Sequence, residues 1–97
     1  MTAQVHELID RYRPSVLWND MGWPVDADLG AVLRHYYHTV EDGVVNDRWF
    51  TFTAPAQALP HDFHTFEYES PAEPPAEPWE MTRALGRSFG YDAGEVD

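Results

Sequence analysis

Two apolar strands, each preceded by a helical pattern, constrain the fold of this chain more than any other feature. The segment "SVLWND" reads as a buried strand over residues 16–19 that stops at Asp20, and "VVNDRW" reads as a second strand over residues 44–49. The connections between these elements are short. Helices that alternate with strands on short connections are typical of an α/β fold, in which neighbouring strands run parallel and the helices lie outside.

The two helices are predicted from apolar residues that recur every three to four positions. In the first helix, Thr2 is a candidate N-cap and Pro14 ends the pattern. In the second helix, Asp26 or Asp28 caps the N-terminus and Gly43 closes the C-terminus. The apolar faces consist of Val5, Leu8, Ile9 and Tyr12 in the first helix and of Leu29, Val32, Leu33, Tyr36, Tyr37 and Val40 in the second.

The regular alternation breaks after the second strand. Residues 63–68, "FHTFEY", read as a third strand with Glu67 on one face and His64 on the other. The Pro/Glu-rich segment 70–78 is expected to form an extended surface loop. A short helix is predicted beyond that loop, over residues 80–87.

The chain is strongly acidic, with 17 Asp and Glu against 6 Lys and Arg and a formal net charge of -11. This charge repels a phosphate backbone, so nucleic acid is not expected as a partner. The absence of cysteine excludes disulfides and thiolate metal sites. No apolar run of about 18 residues predicts a membrane span, and the N-terminal residues lack the apolar centre of a signal peptide. As written, the sequence therefore predicts no membrane partner and a cytoplasmic chain.

Charged side chains stand at the ends of the three predicted strands: Asp20, Arg48 and Glu67. Functional groups of parallel sheets gather where the strands end, and strands about 4.8 Å apart can aim two carboxylates at one sugar-sized site. Two carboxyl groups about 5 to 5.5 Å apart are the machinery of a retaining glycosidase, and an arginine between them would keep the nucleophile ionised. Taken singly, each acid is more often a turn former or cap, and the arginine a surface ion pair.

Four segments resemble, in the same order and at similar intervals, the central part of the retaining α-L-fucosidases of glycoside hydrolase family 29. They are "ELIDRYRPSVLWNDMGWP", "VVNDRW", "DFHTFEY" and "PWEMTRALGRSFGY". The resemblance implies that Asp20 is the nucleophile, that Arg48 lies in the active site and that Glu67 is the acid/base. It also implies that the substrate is a fucosylated oligosaccharide or glycoconjugate and that no cofactor is used.

The catalytic domain of that family is a (β/α)8-like barrel, a fold that typically needs about 250 residues. The chain is therefore predicted to be one fragment over residues 1–97, a partial (β/α)8-barrel segment of about three parallel strands with two flanking helices. The sequence leaves open whether it is a piece of a longer enzyme or a degenerate copy. Alone, it is expected to be inactive. The alternative is a non-catalytic acidic module that associates with itself or another chain through open sheet edges.

Other side chains are candidates for the same site. Glu80 is the main rival of Glu67 as proton donor, because the position of that residue differs within the family, and Glu69 is a weaker rival. Trp23 and Trp49 lie beside the acids in sequence, so either could stack on a pyranose or pack against its methyl group. Packing in the core explains the two tryptophans equally well.

Histidines form two pairs that could begin a metal site, His35 with His38 and His61 with His64. Surface histidines explain His35 and His38 more simply, and no metal is predicted. His64, near the start of the third strand, is also a candidate for contact with the sugar.

Overall fold

The computed structural model describes residues 1–24, 27–51 and 60–94. In chain order the elements are α1 (Thr2–Tyr12), β1 (Val16–Leu17), α2 (Leu29–Thr39), β2 (Val44–Val45), β3 (His64–Glu67) and β4 (Trp79–Thr82). The alternation of helix and strand predicted for the first half is confirmed, although each strand is shorter than predicted. No helix in the described ranges is long and apolar enough to cross a membrane.

Helix α1 buries one side of its amphipathic pattern and ends at a left-handed residue. Ile9 is fully buried, and Val5 packs against the core beside it. Arg13 adopts φ 44°, and its N–H donates to the carbonyl oxygen of Ile9 at 2.9 Å, a bond that caps the C-terminus before Pro14. Thr2 is the first residue of the helix and Met1 is the N-cap, one position earlier than predicted.

Helix α2 begins at a capped N-terminus and covers the strands with its apolar face. The Asp28 carboxylate accepts a hydrogen bond from the N–H of Ala31 at 3.0 Å, which confirms one of the two predicted caps. The other, Asp26, lies outside the described residues. The buried face consists of Leu29, Val32, Leu33 and Tyr36.

Gly43 is required by packing and not by a helix cap. Tyr36 is fully buried, and its hydroxyl donates to the carbonyl oxygen of Pro14 at 2.8 Å. A Cβ at Gly43 would lie 2.5 Å from that hydroxyl oxygen, so a side chain there would displace the ring. Helix α2 ends earlier, at Thr39, with Val40 as an extended C-cap, and the predicted closure at Gly43 is therefore wrong.

The strands run parallel and follow one another in chain order. Strands β1 and β2 pair with Leu17 opposite Val45. A parallel bridge between Asn46 and Phe63 connects the end of β2 with the start of β3. Strands β3 and β4 pair over four residues. Because all of these pairings are parallel, the C-terminal ends of the strands lie along one edge.

The helix predicted over residues 80–87 is wrong, because Trp79–Thr82 form strand β4. Residues 68–78, which include the predicted loop, connect β3 to it without helix or strand. The edge of β3 supplies hydrogen-bond partners for the backbone of "WEMT", and such pairing overrides a weak local preference for helix. Its register places Glu80 opposite Thr65. The described residues therefore contain a fourth parallel strand, which forms a second two-stranded sheet with β3 beside that of β1 and β2.

In the part of the chain that the structure describes, the hydrophobic core comes entirely from residues up to Trp49. It lies between the two helices and strands β1 and β2, and it contains Ile9, Leu17, Trp23, Leu29, Val32, Leu33, Tyr36, Val45 and Trp49. Among the described residues from 60 to 94, only the side chain of Thr65 is buried. The second pair of strands is thus attached to a core to which it contributes almost nothing.

Candidate active site

The backbone before Asp20 is fixed by a pair of buried amide hydrogen bonds. The N–H of Asn19 donates to Oδ1 of Asn46 at 3.0 Å, and Nδ2 of Asn46 donates back to the carbonyl oxygen of Asn19 at 2.9 Å. Asn46 follows β2 directly and is fully buried. Because Asn46 is fully buried, this reciprocal pair of bonds holds the ends of β1 and β2 in one arrangement. Asp20 extends from this fixed end, with 51% of its side chain exposed.

Arg48 joins the two predicted catalytic carboxylates. Its guanidinium donates to Oδ1 of Asp20 at 2.8 Å and to Oε2 of Glu67 at 3.0 Å. Only 16% of the Arg48 side chain is exposed, against 43% of Glu67. The face of the guanidinium lies over the indole of Trp18, 5.6 Å from the ring centroid. The three residues predicted to meet at the strand ends are therefore brought together within the span of one guanidinium.

Electrostatics keep this arginine charged. Burial opposes the charge of Arg48, but the hydrogen bonds and charges of Asp20 and Glu67 outweigh burial and raise its pKa. One positive charge thus faces two carboxylates, which leaves an anionic cleft. Such a site suits a reaction in which positive charge develops on the substrate, as it does in glycoside hydrolysis.

Each carboxylate is followed at once by a strained backbone position. Met21 has φ 61° and Tyr68 has φ 57°, both in the left-handed region. A residue with a side chain pays about 1–2 kcal/mol there, and strain of this kind concentrates at functional sites. The chain turns sharply at both strand ends, just beyond Asp20 and just beyond Glu67.

Glu80 lies behind the carboxylate pair. Its Oε1 accepts hydrogen bonds from Oγ1 of Thr65, at 2.7 Å, and from Nε1 of Trp18. Register places it opposite Thr65, two residues before the level of Glu67 along the strands. The indole of Trp18 also packs against the guanidinium of Arg48. Glu80 therefore supports the carboxylate pair indirectly, through Trp18. Its Oε1 already serves two donors, which favours support over proton donation.

Comparison with known proteins supports what this geometry indicates. The family model of α-L-fucosidase matches residues 1–97. The chain belongs to the α-L-fucosidase family. A search of curated proteins gave no match.

Solved structures of α-L-fucosidases carry the same arrangement of elements. One α-L-fucosidase superposes with a TM-score of 0.80 at 44% identity over 97% of this chain. The Thermotoga maritima α-fucosidase, in complexes with a mechanism-based inhibitor and with fucose, gives a TM-score of 0.72 at 42% and 44% identity over 98% of the chain. The match covers only 20% to 21% of those proteins, so the chain spans about a fifth of the fucosidases that it resembles.

Three predicted sugar contacts lie away from the cleft. Trp23 and Trp49 are 2% and 4% exposed, and they pack against each other in the core with ring centroids 5.4 Å apart. Their covered rings cannot stack on a pyranose in this arrangement. His64 alternates with Thr65 along β3 and so points to the opposite face from Glu67. Its two ring nitrogens lie 3.1 Å from Oδ2 of Asp47 and 2.6 Å from Oε2 of Glu77.

Glu69, the weaker rival of Glu67, is exposed and lies beyond the left-handed turn at Tyr68. The site also contains Trp18, Asn46 and Thr65, which sequence reasoning did not single out. A signal for one of them was present, because both "WND" and "VND" place Asn-Asp at the end of an apolar run. That repetition would have paired Asn46 with Asn19.

Proposed function

We propose that this segment supplies the chemical groups of a retaining α-L-fucosidase, within a complete (β/α)8 barrel. The observation that carries the proposal is the guanidinium of Arg48, which donates to Asp20 and Glu67 from between them. The proposal is supported by two parallel strand pairs, β1 with β2 and β3 with β4, which the bridge between Asn46 and Phe63 connects. We also propose that the two carboxyl groups lie about 5 to 5.5 Å apart, the separation that retaining glycosidases require.

In the first step, the Asp20 carboxylate attacks the anomeric carbon of a terminal α-L-fucoside. The bond to the leaving oxygen breaks as Glu67 gives its proton to that oxygen, and a covalent glycosyl-enzyme forms. In the second step, Glu67 takes a proton from water. The resulting hydroxide attacks the same carbon, displaces Asp20 and releases fucose with its original configuration.

Arg48 has two roles in this scheme. Before the first step it orients the Asp20 carboxylate through the hydrogen bond at 2.8 Å. During the reaction it holds both side chains beside each other, so that their relative position depends on one mostly buried guanidinium. The substrates are fucosylated oligosaccharides or glycoconjugates, as the family indicates.

The test replaces the matching fifth of a complete α-L-fucosidase with residues 1–97 of this chain. Turnover of 4-nitrophenyl α-L-fucoside should be nearly abolished by Asp20→Gly and partly restored by azide, which takes the place of the nucleophile. Glu67→Ala should harm substrates with poor leaving groups most, since good leaving groups depart without a proton. If Glu80→Ala shows that dependence and Glu67→Ala does not, the proton donor is Glu80.

The isolated chain is expected to hydrolyse no fucoside. Turnover by the purified 97-residue chain, lost in Asp20→Ala, would contradict this expectation.

A second function is favoured by the exposed apolar side chains of β4, Trp79 and Met81, which are 39% and 38% accessible. A non-catalytic module that associates through this open edge would elute from a sizing column as an oligomer, and proline in β4 would return it to monomer.

A further inference from the structure

Three potential metal ligands converge on the face of β3 opposite the carboxylate cleft. The ring nitrogens of His61 and His64 and a carboxylate oxygen of Glu77 all lie within 4.8 Å of one another. Oε2 of Glu77 is 3.6 Å from Nε2 of His61 and 2.6 Å from Nε2 of His64. The three residues come from two separate segments, one just before β3 and at its start, the other just before β4.

We propose that His61, His64 and Glu77 bind one divalent transition-metal ion, and that Zn²⁺ is the best match. Two imidazole nitrogens and one carboxylate oxygen, with a fourth position open to water, form a common zinc coordination set. The proposal concerns the opposite face of the sheet and does not depend on the fucosidase chemistry of Asp20 and Glu67.

The distances fit this ion after small side-chain movements. Metal–ligand bonds of about 2.0–2.1 Å in a tetrahedral site place the ligand atoms roughly 3.3 Å from one another. The separation between His61 and Glu77 is close to that value, and that between His64 and Glu77 must open slightly. Glu77 can move, because 62% of its side chain is exposed.

A second carboxylate sets the orientation of His64. Oδ2 of Asp47 lies 3.1 Å from Nδ1 of His64, while Oδ1 of Asp47 accepts the N–H of Thr65 at 3.1 Å. With the proton on Nδ1 donated to Asp47, the lone pair of Nε2 points at Glu77. A histidine held in this way by a carboxylate is the usual arrangement behind a metal-bound imidazole.

His61 completes the set, because its Nε2 faces the same carboxylate oxygen of Glu77 and supplies the third ligand atom.

The test titrates the untagged 97-residue chain, first treated with chelator, with Zn²⁺ in mildly alkaline buffer against a chromophoric chelator. We expect one ion per chain, and a Co²⁺ form with the intense visible absorption of a four-coordinate site. His61→Ala and Glu77→Gln should each weaken binding at least about 10-fold, and Asp47→Asn should weaken it about 10- to 100-fold through His64. His38→Ala, an exposed histidine of α2 outside the cluster, should leave binding unchanged.

Two outcomes would overturn the proposal. One is the absence of saturable binding at one ion per chain in protein whose helical circular dichroism is intact. The other is binding that survives both His61→Ala and Glu77→Gln, or that is lost in His38→Ala, which would place the ion elsewhere. Because His61 and Glu77 are exposed, both variants should keep the fold, and matching circular dichroism spectra check this.

Discussion

The two halves of the chain are held together by different forces. Residues 2–24 and 27–49 form a packed unit in which two helices cover two short strands, and every buried apolar side chain in the described residues comes from this half. Residues 60–94 add a second pair of strands whose described contacts with the first half are largely polar. The difference suggests that the first half can keep its shape unaided, while the second depends on what it touches.

The candidate active site spans this division. Asp20 and Arg48 come from the packed half, and Glu67 comes from the other. Polar links cross between the halves, among them those of Arg48 with Glu67, Asn46 with Thr65, Trp18 with Glu80, Asp47 with His64 and Thr65, and Tyr37 with Asp62. The position of Glu67 relative to Asp20 therefore depends on hydrogen bonds and not on a shared core. Each of the following variants changes a residue in one of the two halves or a residue that joins them.

The largest effect should come from the core of the first half. Ile9→Ala removes apolar atoms from a fully buried position and should lower the free energy of unfolding by about 2–5 kcal/mol. Leu85→Ala removes the same number of carbons from an exposed position in the second half and should leave it unchanged. Denaturant unfolding of the chain measures both. Equal losses in the two variants would show that the halves do not differ as described.

A smaller loss is expected at the buried amide that joins the strand ends. Asn46→Ala leaves the N–H and the carbonyl of Asn19 without their partners and should cost about 1–3 kcal/mol. Hydrogen exchange should locate the effect, since the amide of Asn19 loses its protection while those of α1 keep theirs. An unchanged exchange rate at Asn19 would remove Asn46 from its assigned role.

The link through Asp62 should make stability depend on alkaline pH. The hydroxyl of Tyr37 donates to Oδ2 of Asp62 at 2.6 Å, and the same oxygen accepts the N–H of Val45 at 2.8 Å. Burial, followed by this hydrogen bond, raises the pKa of Tyr37 above its ordinary value of 10.0. A raised pKa means that the folded state holds the proton more tightly, so the stabilisation is complete below the unfolded pKa and is lost as pH rises past about 10.

Tyr37→Phe isolates that contribution. The variant should be less stable at neutral pH by about 0.5–1.5 kcal/mol, the value of one hydrogen bond, and its stability should fall less steeply above pH of about 10. Tyr12→Phe, at an exposed position in α1, serves as the control. If both variants lose stability with pH as the unaltered chain does, Tyr37 is not the source of the dependence.

The smallest effect concerns the strained turn beside Asp20. Met21→Gly removes the cost of a left-handed residue, about 1–2 kcal/mol. Because glycine gives the unfolded chain more conformational freedom, the same change lowers the free energy of unfolding by about 0.4–1 kcal/mol. We expect a net gain in stability below about 1.5 kcal/mol by thermal denaturation. A loss of stability would mean that the Met21 side chain, although 78% exposed, contributes contacts that outweigh the strain.

Sequence reasoning succeeded where local pattern and physical cause coincide. The spacing of apolar residues and the cap at Asp28 predicted α2, and the parallel order of strands predicted that Asp20, Arg48 and Glu67 would meet. It failed for β4, because "WEMT" forms a strand only when the edge of β3 is present to pair with it. Sequence reasoning also could not decide whether Trp23 faces the sugar or the core. An aromatic residue indicates burial but does not indicate which surface covers it.

The most direct test of the proposed chemistry is to trap the glycosyl-enzyme in the complete barrel that carries residues 1–97. A 2-deoxy-2-fluoro-α-L-fucosyl fluoride reacts in the first step, because fluoride leaves readily, and the 2-fluorine slows the second step by destabilising its cationic transition state. Peptide mass mapping should find the fluorofucosyl group on Asp20, and Asp20→Asn should remain unlabelled. A sugar attached to Glu67 or Glu80, or labelling that persists in Asp20→Asn, would contradict the assignment of Asp20 as the nucleophile.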